Sequence, residues 1–352
     1  MPDFEPIKKK TPKKKQSVVQ SLFPCKNDSK GEKIRKVVYL LSIAVLLFAT
    51  FYMIYFYSIR SDNISKEMEE VRNLRGDNNG SYISIPMHMA SDEGQQNEQK
   101  NVEILEEYAE LYEKNNDMVG WIEMYPWIGY PVVQTDDNDF YLKHNFYGQP
   151  TENGTIYADY EIPITADSTP ANTIIYGHNL ITRNMFEPLS YFRTQGIDFM
   201  KENYRINFDT IYEKNEYLVF AVFLTNTTDN YGDVFDYQKC VSFENKSEFN
   251  NYVAECLDRS YYYTGVDLQY GDELLTLSTC DFSMFSDMRL VVVARKVRDD
   301  ESSVLDPETF IDNSGNDQNG NVKRKMFDAY YKSYGNNWAG RQWDTSWIKD
   351  FE

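Results

Sequence analysis

The sequence predicts a mainly β domain, an antiparallel sandwich or barrel, carried on one N-terminal membrane-spanning helix. Three observations predict it. Short apolar runs recur between turn residues with no βαβ rhythm. Aromatic residues, mostly Tyr and Phe, make up 15% of the 352 residues, which suits strands. Residues 37–59, "VVYLLSIAVLLFATFYMIYFYSI", contain no charge, and about 20 apolar helical residues are enough to cross a bilayer's hydrocarbon layer.

The apolar segment reads as an uncleaved span. A buried helix of this length is rarely apolar on every face. A signal peptide has a shorter apolar core and a small-residue cleavage site, whereas Tyr52, Tyr55 and Tyr57 stand here. Residues 1–36 hold eleven Lys or Arg against four acids, a net of +7. With −19 overall, the remainder carries −26. The basic end keeps the N-terminus cytoplasmic and places residues 60–352 outside. Topology and anionic lipid account for these basic residues, and no nucleic-acid partner is implied.

Residues 60–100 are charged, Asn-rich and weakly patterned, and read as an extracellular stalk with a short helix at "SKEMEEVRNL". The compact region begins near "VEILEEYAELYEKN", where Ile104, Leu105, Tyr108, Leu111 and Tyr112 recur at helical spacing. Strand-like runs follow at "VGWIEM", "YPVVQ", "GTIYAD", "NTIIYG", "EYLVFAVFL", "ELLTLST" and "RLVVVARKV", with a helical stretch at 247–259. From 299 the chain is acidic and Asn/Gly-containing up to "DNSGNDQNGN", composition that looks unable to bury itself. Met326, Phe327, Tyr330, Tyr331 and Tyr334 then recur at helical spacing, followed by Trp338, Trp343 and Trp347. That aromatic content predicts a helical appendage packed on the domain's outer face, since each large side chain left in water forgoes about 1.5–3 kcal/mol.

Four cysteines are present, and Cys25 lies on the inner side. The remaining three, Cys240, Cys256 and Cys280, leave an odd, reactive thiol outside. Cys256 sits in the helical "SEFNNYVAECLDR" and reads as a small apolar core residue. Spacing alone does not establish a Cys240–Cys256 disulfide. Cys280 ends "DELLTLSTC", where a strand's end can hold a thiol still at a cleft. Its chemistry needs a base or a cation nearby to lower the thiol pKa. Of three histidines, His88 lies in the stalk and His144 in "YLKHNF" has a surface or packing role by default. His178 ends "NTIIYGHN" at a strand terminus. Arg289 lies nine residues past Cys280, where a hairpin return can bring it beside the thiol. A guanidinium there can hydrogen-bond an acyl oxygen as negative charge develops.

These pieces resemble a sortase: "TLSTC", an Arg nine residues on before an apolar strand, and "YGH" about a hundred residues upstream. "VGWI", "YPVVQ", "DNDFYLKHNF", "GTIYADYE", "IIYGHN" and "MFEPLSYF" resemble class B members in order and spacing, from about 101 to 298. The resemblance implies a closed β-barrel of about eight strands with N-terminal helices and an extra helix before the cysteine strand. It implies Cys280 as nucleophile, His178 as acid/base partner and Arg289 as oxyanion or orienting group. Asn138, Leu142, Tyr176, Thr227, Tyr231, Ser278 and Asp281 match substrate-groove positions. Gly129 stands where Asp or Asn is common, and Asp281 where many members have Glu.

The implied reaction cleaves an LPXTG-like or NPXTN-like signal of another exported protein through a Cys thioester, then passes the acyl group to a peptidoglycan or pilin amine. No metal or cofactor enters these steps. Papain-like enzymes place Cys before His, and L,D-transpeptidases keep the two close in sequence, unlike this chain. The rival reading is a non-catalytic, membrane-tethered scaffold, which an active-site thiol probe discriminates.

Overall fold

A computed structural model describes residues 22–76, 80–86, 101–180, 182–328, 331–332, 335 and 337–341, with side chains omitted at 57–65. It divides into two compact units, Met1–Asn63 and Ile64–Glu352. Helix α1 spans Lys30–Leu74 and so takes in both the apolar segment and the short helix expected at 65–74. Its apolar part has a mean hydropathy of 2.4 and none of it is buried in the protein. Ser42 and Thr50 turn their hydroxyls inward, Ser42 to the Val38 carbonyl (2.9 Å) and Thr50 to the Leu46 carbonyl (2.8 Å), so both protons are satisfied within the helix.

In the second unit, eight strands close into a barrel. They are β3 (Met118–Met124), β4 (Ile128–Val133), β5 (Tyr157–Ala158), β6 (Asn172–Tyr176), β7 (Arg205–Thr210), β8 (Glu216–Asn226), β10 (Leu274–Asp281) and β11 (Met288–Lys296). Their order around the barrel is β10–β11–β8–β7–β3–β4–β5–β6. The barrel is mixed rather than antiparallel, because β4/β5 and β6/β10 pair in parallel. A parallel pair cannot be closed by a tight hairpin, and here the long connections 134–156 and 177–273 do it. Every strand-like run of the sequence lies in this barrel, although only two residues of "GTIYAD" pair. Strand β7, "RINFDT", gave no apolar run. It alternates, with Ile206 and Phe208 buried and Arg205 and Asn207 exposed.

The segment before the barrel departs from expectation. Ile104 and Leu105 belong to strand β2 (Asn101–Leu105), which pairs with β1 (Tyr82–Pro86); helix α2 covers only Ala109–Lys114. A partner strand overrides a helical spacing this short. Residues expected in the stalk pack with the compact unit. Met68 and Val71 are buried, and Arg75 bridges Glu107 and Glu123, each at 2.9 Å. His88 lies outside the described residues.

Two short helices, α3 (Tyr191–Thr194) and α4 (Ile197–Glu202), precede β7. Helix α5 (Lys246–Arg259) precedes the cysteine strand. Asn245 caps it by accepting from the Glu248 amide at 3.0 Å, while the Glu248 carboxylate accepts from the Glu244 amide at 3.0 Å. Its apolar face packs on β8, which is buried almost throughout.

The four cysteines are free, so Cys240 and Cys256 form no disulfide. Beyond Arg298 the chain packs rather than trails. Strand β12 (Ile311–Asp312) pairs with β9 (Tyr262–Tyr263), and Phe310, Val322, Met326 and Phe327 are buried. Between 299 and 327 the backbone is turns, isolated bridges, one 3-10 turn and β12, and α-helix appears only later, at Asp328, Tyr331 and Lys332 among the described residues. Part of "DNSGNDQNGN" is held by Asp317, whose carboxylate accepts from the Asn319 and Asn321 amides at 2.8 Å each. Tyr330, Tyr334, Trp343 and Trp347 lie outside the described residues.

Candidate active site

Strands β6 and β10 run side by side with Tyr176 opposite Ser278. The pairing continues past the end of β6. The Gly177 amide donates to the Ser278 carbonyl (3.2 Å), and Thr279 Oγ1 donates to the Gly177 carbonyl (2.7 Å). Two residues further along each parallel chain, His178 therefore comes alongside Cys280. Asn179 Nδ2 secures the arrangement by donating to the Cys280 carbonyl at 2.8 Å. On the other side, Cys280 pairs in register with Arg289 of β11. Cross-strand partners share a face of the sheet, so the guanidinium stem rises beside the thiol.

Two glycines flank the histidine where no side chain fits, and Gly154 is the one that makes room for it, since a Cβ there would lie 3.0 Å from His178 Cδ2. A Cβ at Gly177 would meet the Phe186 ring at 2.7 Å; one at Gly154, where φ is +60°, would meet the Leu142 and Tyr141 carbonyl oxygens at 2.8 Å. His178 Nε2 lies 2.9 Å from the Leu142 carbonyl oxygen. That oxygen can only accept, so Nε2 carries a proton and Nδ1 is the nitrogen of the neutral ring that can exchange one.

Cys280, His178 and Arg289 line one cleft of about 370 Å³, together with Asn138, Leu142, Tyr176 and Ser278. Cys240 and Cys256 are unsuited to thiolate chemistry. Burial pushes the Cys240 thiol up to about 11 and raises the fully buried Cys256 well above its ordinary value. His144 stacks on Phe140, ring centroids 4.1 Å apart, and its Nδ1 lies 2.7 Å from the Phe140 carbonyl oxygen.

Comparison with known proteins settles the family. The Sortase domain pattern matches residues 129–297. The chain is 32% identical over 182 residues to sortase B of Listeria monocytogenes, covering 51% of this chain and 70% of that protein. It is 29% identical over 192 residues to sortase B of Staphylococcus aureus, covering 54% and 74%. A solved Bacillus anthracis protein described as similar to sortase B superimposes with a TM-score of 0.51 at 31% identity. That match covers 67% of this chain and 96% of the other.

The chain belongs to the class B sortases. It is accordingly a cysteine transpeptidase, and the expected closed eight-stranded barrel is the observed one.

Three of the sequence-predicted groove residues stand apart from this sortase's cleft. Asp281 points to the opposite face of β10 from Cys280. It is buried, pairs with Arg193 at 3.1 Å and accepts from the Ser283 amide at 2.8 Å. Thr227 gives its amide and its hydroxyl to the Asp287 carbonyl, each at 2.9 Å. Tyr231 stacks on Phe285 with centroids 4.1 Å apart.

The sequence reading passed over Asp159, which lies in the cleft and is buried. Its carboxylate accepts from Tyr176 Oη (2.9 Å), Asn138 Nδ2 (3.0 Å) and the Glu161 amide (3.0 Å). Burial, and then the Asp159 charge, raise the Tyr176 phenol far above its ordinary value, so that it stays a donor. "GTIYADYE" carried the signal, an acid next to the apolar strand residues; its partners became visible only in the fold. Gln238 and Lys239 also line the cleft, from a short 3-10 helix, Tyr237–Lys239, that the sequence did not mark.

Proposed function

We propose that this sortase cleaves a sorting signal of exported proteins through a thioester on Cys280 and transfers the acyl group to an amine. The observation that carries the reading is the shared cleft, with His178 and Arg289 on either side of Cys280 along neighbouring strands. The Cys280 thiol passes its proton to His178 Nδ1, and Sγ attacks the carbonyl of the Thr in an LPXTG-like or NPXTN-like signal. Arg289 donates to the oxyanion as the tetrahedral intermediate forms. The peptide C–N bond then breaks, and His178 gives its proton to the departing amine. In the second half, an incoming amine of peptidoglycan or of a pilin attacks the thioester carbonyl. His178 takes up the amine's proton and the Cys280 sulfur leaves. The cleft's own residues supply each of these protons and charges.

Helix α1 supports single-pass anchoring, with the basic N-terminus inside and the barrel outside. Substrate and enzyme then meet at the outer membrane face. Incubating the soluble barrel with a library of sorting peptides and identifying the acyl group trapped on Cys280 tests the reading. Recovery of a Thr-terminated thioester is expected, and its absence across the library, with Cys280 freely alkylated, overturns the catalytic reading in favour of a scaffold.

A further inference from the structure

The chain beyond Arg298 lies outside the segment matched by the family pattern, residues 129–297. Nothing in the chemistry above uses it. Phe327 and Asp328 of the extension nevertheless lie against two loops beside the nucleophile. One is 282–287, which joins Cys280 and Asp281 to Met288 and Arg289. The other follows β8. The two loops are pinned to each other by the paired Thr227 bonds to the Asp287 carbonyl and by the Tyr231–Phe285 stack, whose planes are 20° apart.

Phe327 of the extension completes that aromatic cluster. Its centroid is 6.0 Å from Phe285 and 6.5 Å from Tyr231, and it is buried. The next residue locks the approach. A Cβ at Gly232, where φ is +119°, would meet the Asp328 amide nitrogen at 2.7 Å. A second route runs through charge. Lys325 pairs with Glu255 at 2.9 Å, Glu255 pairs with Arg259, and that guanidinium lies 4.6 Å over the Phe235 ring. Phe235 packs on Tyr237, whose hydroxyl is 2.7 Å from Ser278 Oγ, two residues before the nucleophile.

We propose that the C-terminal extension is an intramolecular brace for the hairpin carrying Cys280 and Arg289, with Phe327 as a positioning residue. The proposal rests on the catalytic reading of those two residues. The physical reason is leverage. Loop 282–287 begins one register position beyond the Cys280–Arg289 pair, so its motion frays that end of the hairpin and changes the offset between thiol and guanidinium. A misplacement of about 1 Å can cost as much as 100-fold in rate.

The test uses the full chain with three substitutions: Phe327→Ala, the conservative Phe327→Tyr, and Val322→Ala as a buried change elsewhere in the extension. Turnover of a sorting peptide and amide exchange of residues 282–287 are measured on each. Phe327→Ala is expected to lower kcat about 10- to 100-fold with KM within a few-fold, and to speed exchange in 282–287. Phe327→Tyr should restore both, and Val322→Ala should change neither while lowering the melting temperature. Unchanged kcat and unchanged exchange in Phe327→Ala overturn the brace. So does an equal kcat loss in Val322→Ala, which would reduce the effect to general stability. A wild-type chain that forms no thioester with any sorting peptide defeats the catalytic reading instead, and the exchange of 282–287 still decides whether Phe327 holds the hairpin.

Discussion

Cys280 and Arg289 occupy one register position on opposite arms of the β10–β11 hairpin, nine residues apart in sequence and directly paired in space. The arginine is thus held beside the thiol by backbone pairing, and its planar fork is presented from a strand rather than from a loop.

Replacing Arg289 by Lys should preserve the fold and lose most of the activity. Lysine keeps the charge but not the paired donors that can reach two oxygens together. Removing one oxyanion donor costs roughly 100- to 1000-fold in kcat. Steady-state kinetics decide it: a lysine variant within a few-fold of wild type reduces Arg289 to a source of general field.

The cysteines should separate cleanly. Cys280→Ala abolishes both cleavage and transfer. Cys256→Ala keeps the chemistry and loses about 1–3 kcal/mol of stability as a buried side chain is truncated, while Cys240→Ala keeps it with a smaller loss. Appreciable turnover by Cys280→Ala is incompatible with the thioester route.

Asp159→Asn should loosen the cleft wall. The amide cannot accept from Tyr176, Asn138 and the Glu161 backbone together, and leaving a buried donor unpaired costs about 1–3 kcal/mol. A lower melting temperature and a higher KM for the sorting peptide are expected. If both stay at wild-type values, Asp159 does not hold Tyr176 and Asn138 in place.

Acid should release the extension before it unfolds the barrel. Burial alone would raise the Glu255 carboxyl, but Lys325 and Arg259 outweigh it and hold the group below its ordinary 4.5. A depressed carboxylate stabilises the fold above its unfolded pKa, and that contribution is lost as pH falls through the lower folded value. Cleavage by an acid protease should therefore begin in residues 299–341 below about pH 4.5. Glu255→Gln should remove this dependence. Early cleavage within the barrel, with the extension intact, contradicts the assignment.

Protease added to intact protoplasts should digest the barrel and spare a short basic N-terminal fragment. The uncharged length of 37–59 and the eleven inner basic residues motivate this expectation. Protection of the whole barrel would place it on the inner face, where no exported substrate can reach it.

The sequence by itself determined what depends on chain-local chemistry. An uncharged apolar segment, seven β-type runs and an ordered set of motifs around Cys280, His178 and Arg289 were legible, because each is a pattern along a few residues. The family followed from their order. Long-range pairing was not legible, and it decided the rest. Only the parallel registry of β6 with β10 carries His178 to Cys280 across a hundred residues. Only strand alternation turns Asp281 away from the cleft and gives it to Arg193. Strand β7 and the β2 residues Ile104 and Leu105 take their form from partner strands, which local propensity cannot see. The acidic stretch from 299 to 321 suggested nothing to bury, and only the aromatic residues from Met326 on predicted packing. The fold instead supplies Tyr261, Tyr262 and the Glu255–Arg259 pair as a surface for the extension to cover. Whether a segment packs depends on the partner surface as well as on its own residues, and that surface exists only once the barrel has closed.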